Sequence, residues 1–83
     1  MKLTEEFKEI YQSIIIRDLE PLCEESFEED LRIKKTFGFV YENIEFDFEV
    51  SIIFGKLELE CVFINGEMVG YEIGYPIIEF LTR

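Results

Sequence analysis

Histidine is missing altogether from this chain of 83 residues. With it go the commonest general base, the usual metal ligand and the Ser-His and Cys-His nucleophile pairs. Serine occurs only as Ser13, Ser26 and Ser51, none in a nucleophile-elbow sequence. No glycine-rich phosphate loop or dinucleotide fingerprint is present. Cys23 and Cys61 are too few and too far apart to make a zinc site. Cys61 falls at an expected inward strand position, so small-core packing is expected of it rather than a disulfide. On these absences the chain is expected not to be an enzyme, and to need no cofactor.

Positive charge is also scarce. Eight Lys and Arg stand against 19 Asp and Glu, a formal charge of −11 with a sequence pI near 4.3. So dense an anionic surface repels nucleic acid and anionic lipid, and attracts basic proteins or cations. Long apolar runs are lacking, with nothing near the roughly 18 residues that span a bilayer. The start, Met-Lys-Leu-Thr-Glu-Glu, has no apolar signal-peptide core, so a cytoplasmic location and no membrane partner are expected.

What remains is strongly apolar, 48% hydrophobic and 16% aromatic, far from the composition of a disordered acidic tail. A length of 83 residues predicts one small domain spanning residues 1–83. Its organising stretch is Ile44 to Phe54, where Ile44, Phe46, Phe48, Val50, Ile52 and Phe54 alternate with Glu45, Asp47, Glu49 and Ser51. Period two means a strand with one buried face.

Thr4 is a good helix N-cap with Glu5 and Glu6 in the first turn, and Leu3, Phe7, Ile10 and Ile14 form an apolar stripe. A helix over about residues 4–18 is predicted. Pro21 is expected to end it and to open a second, from Pro21 to Asp30. From Leu31 the period becomes two, giving a first strand that ends at Tyr41. A two-residue turn at Glu42-Asn43 would pair Phe39 with Phe46 and Phe37 with Phe48.

Gly55-Lys56 predicts a type II′ turn that sets Ile52 opposite Leu59, Val50 opposite Cys61 and Phe48 opposite Phe63, every pair apolar. Asn65-Gly66 predicts a type I′ turn into a last strand from Glu67 to Tyr75, where either a bulge near Gly70 returns Val69, Tyr71, Ile73 and Tyr75 to the core or the outer face carries an exposed apolar and tyrosine strip. Pro76 should end that strand, leaving Ile77 to Leu81 as a helical turn on the sheet edge or a docking segment. The expected fold is α+β: one or two N-terminal helices packed on one face of a four-stranded antiparallel β-meander.

Three features carry functional expectations. Asp18, Glu20, Glu24, Glu25, Glu28, Glu29 and Asp30 form an acidic segment without one basic residue. Like charges three and four apart destabilise a helix by roughly 0.2 to 0.5 kcal/mol per pair, and mixed signs would serve solubility as well. Glu45, Asp47, Glu49, Glu58 and Glu60 form a carboxylate lattice on the outer sheet face, but the expected register sets Glu49 opposite Val62, Asp47 opposite Ile64 and Glu60 opposite Ser51. Acids thus do not face acids, and a magnesium or calcium cage is disfavoured. Tyr71 and Tyr75, each following a glycine, are either strand packing or exposed interface anchors.

The leading functional expectation is an inhibitor or immunity-type protein. It would occupy the basic groove of a nuclease, a CRISPR effector or another nucleic-acid-binding protein, with carboxylates standing in for phosphates. Phage-encoded DNA mimics, anti-CRISPR proteins and toxin-immunity proteins share this size and charge, a likeness of type that no motif carries. The alternative is a structural or self-assembling module whose partner is itself, as in a homodimer, or a larger complex, through Tyr71, Tyr75 and Ile77 to Leu81, with acidity serving solubility. A cation-dependent enzyme or metal binder comes third.

Overall fold

The computed structural model describes residues 2–83. The N-terminal part is helical from Glu5 to Glu29: α1 (Glu5–Ile14), a π-helical turn (Ile15–Leu19) and α2 (Glu20–Glu29) run on without a break. Thr4 caps α1 as expected, its Oγ1 accepting the Phe7 N–H at 3.2 Å. Pro21 does not end the helix. In α geometry its ring would press on the carbonyl four residues back. The chain instead widens just before it, Glu20 N–H bonding Ile15 O five residues back, and Pro21 then sits in the first turn of α2. The helix stops at Asp30, whose φ of 58° is left-handed and whose N–H bonds Ser26 O.

The sheet follows as β1 (Arg32–Tyr41), β2 (Ile44–Ile53), β3 (Lys56–Ile64) and β4 (Glu67–Met68), antiparallel and in sequence order. The fold is α+β. Every hairpin closes on two residues at positive φ: Glu42-Asn43, Phe54-Gly55 and Asn65-Gly66. Such left-handed pairs match the twist of the flanking strands. The first hairpin has the expected register, Phe37↔Phe48 and Phe39↔Phe46.

The second hairpin departs from expectation. Its turn is Phe54-Gly55, one residue earlier than Gly55-Lys56, so Ile52 meets Leu57 and Val50 meets Leu59. A bulge at Glu60 then resets the ladder to Glu49↔Cys61 and Phe48↔Val62. Moving the turn slips the pairing by two residues and leaves faces unchanged, whereas one bulged residue swaps them. Val62 and Ile64 therefore join the core face, while Cys61 and Phe63 pass to the outer face, half-buried.

The last strand is the largest correction. β4 has two residues, and the stretch expected to continue it to Tyr75 is instead α3 (Tyr71–Thr82), with Pro76 inside. Gly74, Ile77 and Leu81 are buried along one side of α3, at helical spacing. Ile77 and Leu81 are thus core, which removes the docking-segment reading of Ile77 to Leu81.

All helices lie on one sheet face. Phe7, Tyr11 and Leu19 from the N-terminal helix and Ile77 and Leu81 from α3 enclose Phe46, Phe48, Val50, Leu59 and Val62. Phe7 meets Phe39, Phe46 and Tyr41 at centroid distances of 5.3, 4.8 and 5.4 Å. Ser26, fully buried, ties the end of α2 to the sheet: its Oγ donates to Leu31 O at 2.6 Å and accepts the Gly55 N–H at 3.4 Å.

Phe48→Ala should cost about 3 to 5 kcal/mol, read as a lower urea midpoint. Burial pushes the Tyr11 phenol from its usual value of 10 up to about 12. The fold favours the neutral phenol, so this contribution is intact below pH 10 and is lost as pH rises toward 12. Unfolding midpoints measured across that window should fall, and should fall less in Tyr11→Phe.

Candidate partner-binding surfaces

In α2 the apolar contacts take Leu22 inward and Ser26 is sealed, so the acids between them must point out. Asp18, Glu20, Glu24, Glu25, Glu28, Glu29 and Asp30 are all exposed. Glu20, Glu24 and Glu28 repeat every four residues, as do Glu25 and Glu29, forming a ridge that faces away from the sheet. Only Asp18 has a cationic partner among the described residues: Arg17 Nη2 lies 2.9 Å from its Oδ2. That hydrogen bond, then the charge of Arg17, holds the Asp18 carboxyl below the usual range. The pair is itself exposed, so water and salt screen it. The other ridge carboxylates stand without a cation.

At the border of the ridge, on the side of the hairpin, sits Phe27, 72% exposed. Its Cβ lies beneath Gly55, where an added Cβ would come within 3.0 Å of it, so its backbone is held by the hairpin while its ring meets solvent. Phe54, 59% exposed in the same turn, adds a second aromatic at this end of the molecule. The period-two pattern from Ile44 counts Phe54 inward, but its place in the turn turns it to solvent.

The carboxylate lattice lies on the opposite side of the sheet from the ridge, on the face that no helix covers. Asp47 sits between Gly38 and Phe63, and Glu49 between Thr36 and Cys61. Asp47 folds over Gly38 so closely that a Cβ there would overlap Asp47 Oδ1 and the Phe46 carbonyl. Ser51 pairs with Glu58 rather than Glu60, and its hydroxyl donates to the carboxylate of Glu60, the bulge residue. Glu45 is exposed beside Val40. Among the described residues no three acids or cysteines converge as cation ligands. The two acidic sets are therefore separate surfaces, one on the helix and one on the sheet.

Tyr71 and Tyr75 are exposed, and on a helix rather than a strand. Four residues apart, their rings stack at 5.0 Å between centroids, 76% and 47% exposed. They border a groove of about 400 Å³ between α3 and the edge of β3. Phe80, by contrast, is covered by Lys8 and Arg83 at 5.5 and 5.4 Å from its ring. Cys23 and Cys61 are free thiols. No described helix is long and apolar enough to cross a membrane. No protein-family model, curated protein or solved structure matches this chain.

Burial, and then the charge of Glu20, push the Cys23 thiol up. At pH 8 Cys23 should therefore alkylate with iodoacetamide more slowly than the thiol of an unstructured peptide, read by mass spectrometry of its tryptic fragment.

Proposed function

We propose that this chain is a small acidic binding protein of the inhibitor or immunity type, not an enzyme. Its target is a basic nucleic-acid-binding protein, of which nucleases and CRISPR effectors are examples, and its cellular setting is the cytoplasm. One observation carries this: the ridge from Glu20 to Glu29 is exposed and, among the described residues, free of ion pairs, on a helix anchored by Ser26. At about 1.5 Å per residue the ridge runs about 14 Å, which opposes roughly four nucleotide steps of 3.4 Å. Carboxylates held at such spacing meet the Lys and Arg that otherwise take phosphates, and Phe27 supplies an aromatic contact at their border. The cost of like charges along α2 is then the cost of binding a cationic surface.

A second reading has its own observation. The exposed Tyr71–Tyr75 stack suits an interface with another copy of the chain. Against it stands the charge of −11 on each copy, which opposes self-association at low salt.

The test is capture on the immobilised chain from host lysate at low salt, eluted by a salt gradient. One stoichiometric basic protein, displaced by competing DNA or RNA, is expected. Changing Glu24, Glu25, Glu28 and Glu29 to Lys together should abolish that capture while circular dichroism keeps its folded spectrum. Capture that survives the four substitutions would reduce the ridge to solvation. Concentration-dependent mass with nothing captured would favour self-assembly.

A further inference from the structure

We infer that the free edge of β3, roofed by α3, is a strand-addition groove for an extended, lysine- or arginine-bearing peptide. The brevity of β4 creates it. Pairing on that side of β3 involves Ile64, Phe63 and the Val69 N–H to Val62 O bond at 3.0 Å, and Lys56 to Cys61 have no strand partner there among the described residues. The pair Ile53↔Lys56 closes a two-residue hairpin, so Lys56 turns its N–H and C=O toward β2. By alternation Leu57 and Leu59 turn theirs to the free side.

Leu59 brings that edge to the groove of about 400 Å³, which has Leu59, Cys61 and Val62 along the strand and Gly74, Tyr75 and Ile78 along the helix, while Leu57 continues the edge beyond it, beside Leu81 and Thr82. A strand edge beside a helix offers an incoming peptide main-chain hydrogen bonds on one side and a slot for alternate side chains on the other. Gly74 lets the chain pack closely at this point, since a Cβ there would meet Val69 Cγ2 at 3.2 Å, and the slot is bounded beside it by Tyr75 and Ile78.

Charge selects the occupant. The two edges of the sheet differ in sign: β1 carries Arg32, Lys34 and Lys35, whereas β3 carries Glu58 and Glu60 against Lys56 at its start, and Glu60 lines the groove itself. A cationic strand is repelled by the first edge and drawn to the second. A second copy brings a charge of −11 with it and is the poorer occupant. The bulge at Glu60 breaks the regular ladder, so the edge accepts a short strand in one register rather than a sheet of arbitrary length. On the function proposed above, this groove would hold an extended basic segment of the target, at a site distinct from the α2 ridge.

The experiment titrates the isotope-labelled full chain with a capped nonapeptide of alternating Lys and Val, following amide shifts and hydrogen exchange. A control peptide is methylated at every second backbone nitrogen. Slowed exchange at Leu57 and Leu59 with shifts at Gly74 and Ile78 is expected. Affinity should fall about tenfold for the methylated peptide and about tenfold for Tyr75→Lys, each equal to about 1.4 kcal/mol. The Glu24, Glu25, Glu28 and Glu29 to Lys variant should keep these strand-edge signals, even where it has lost the captured target. Shifts confined to residues 18–30 would overturn the groove while leaving the ridge reading intact. Equal affinity for the methylated peptide, no binding at millimolar peptide, or a peptide-free dimer in light scattering would each overturn it as well.

Discussion

The ring of Phe7 is the contact on which the rest of the molecule depends. It is the point where the N-terminal helix enters the sheet, edge-on to Phe46 and tilted against Phe39, with Phe48 6.4 Å away. Tilted and edge-to-face pairs of this kind add about 0.5 to 1.5 kcal/mol each beyond the area they bury. Thr4 reinforces the same point. Its hydroxyl caps the helix and also lies 2.7 Å from the Tyr41 hydroxyl, so the start of α1 and the end of β1 are tied together. Phe7 holds that end of the helix and Ser26 the far end, so both anchors set which side of the helix faces the sheet. The direction of the acidic ridge follows from those two anchors.

The anchors also explain how the chain tolerates its own charge. Glu24 and Glu28, or Glu25 and Glu29, repel across one helical turn, and no basic residue in α2 offsets them. Isolated, such a helix would be marginal. Here burial of Phe7, Tyr11 and Leu19 on the same helical run, and the Ser26 bonds to Leu31 and Gly55, outweigh that repulsion. The apolar work is concentrated on one sheet face, which frees α2, the outer sheet face and the β3 edge to present charge and polar backbone.

Much of the sheet was legible in the sequence. The β1–β2 register follows from the strict alternation around Phe48 and from a two-residue connection, both local facts. The acidic segment was legible as exposed because nothing in it could neutralise seven carboxylates. The β2–β3 register was not, because Gly55-Lys56 and Phe54-Gly55 are both chemically acceptable turns, and the first gives the more uniform apolar pairing. Phe54 accepts a left-handed φ of 51° at a cost of about 1 to 2 kcal/mol, a choice no local rule recommends. α3 was not legible for a similar reason. Gly70 and Gly74 weaken a helix and Pro76 is a local stop for a strand, while the signal present, Ile77 and Leu81 four apart with Gly74 three before, needs a known core to be recognised.

By itself, then, the sequence determined the class of fold, the buried side of β1 and β2, and the sign and exposure of the α2 surface. Those depend on periodicity and charge, which act between neighbours in the chain. Tertiary structure alone decided the bulge at Glu60, the short β4, the helical fate of Tyr71 to Thr82 and the groove these create. Each exchanges a locally favourable pairing for burial: Val62 and Ile64 reach the core only if the ladder slips, and Ile77 and Leu81 reach it only if the last segment coils over β3. The apolar area gained on folding onto a distant partner outweighs the local preference, and that partner is invisible to any short window of sequence.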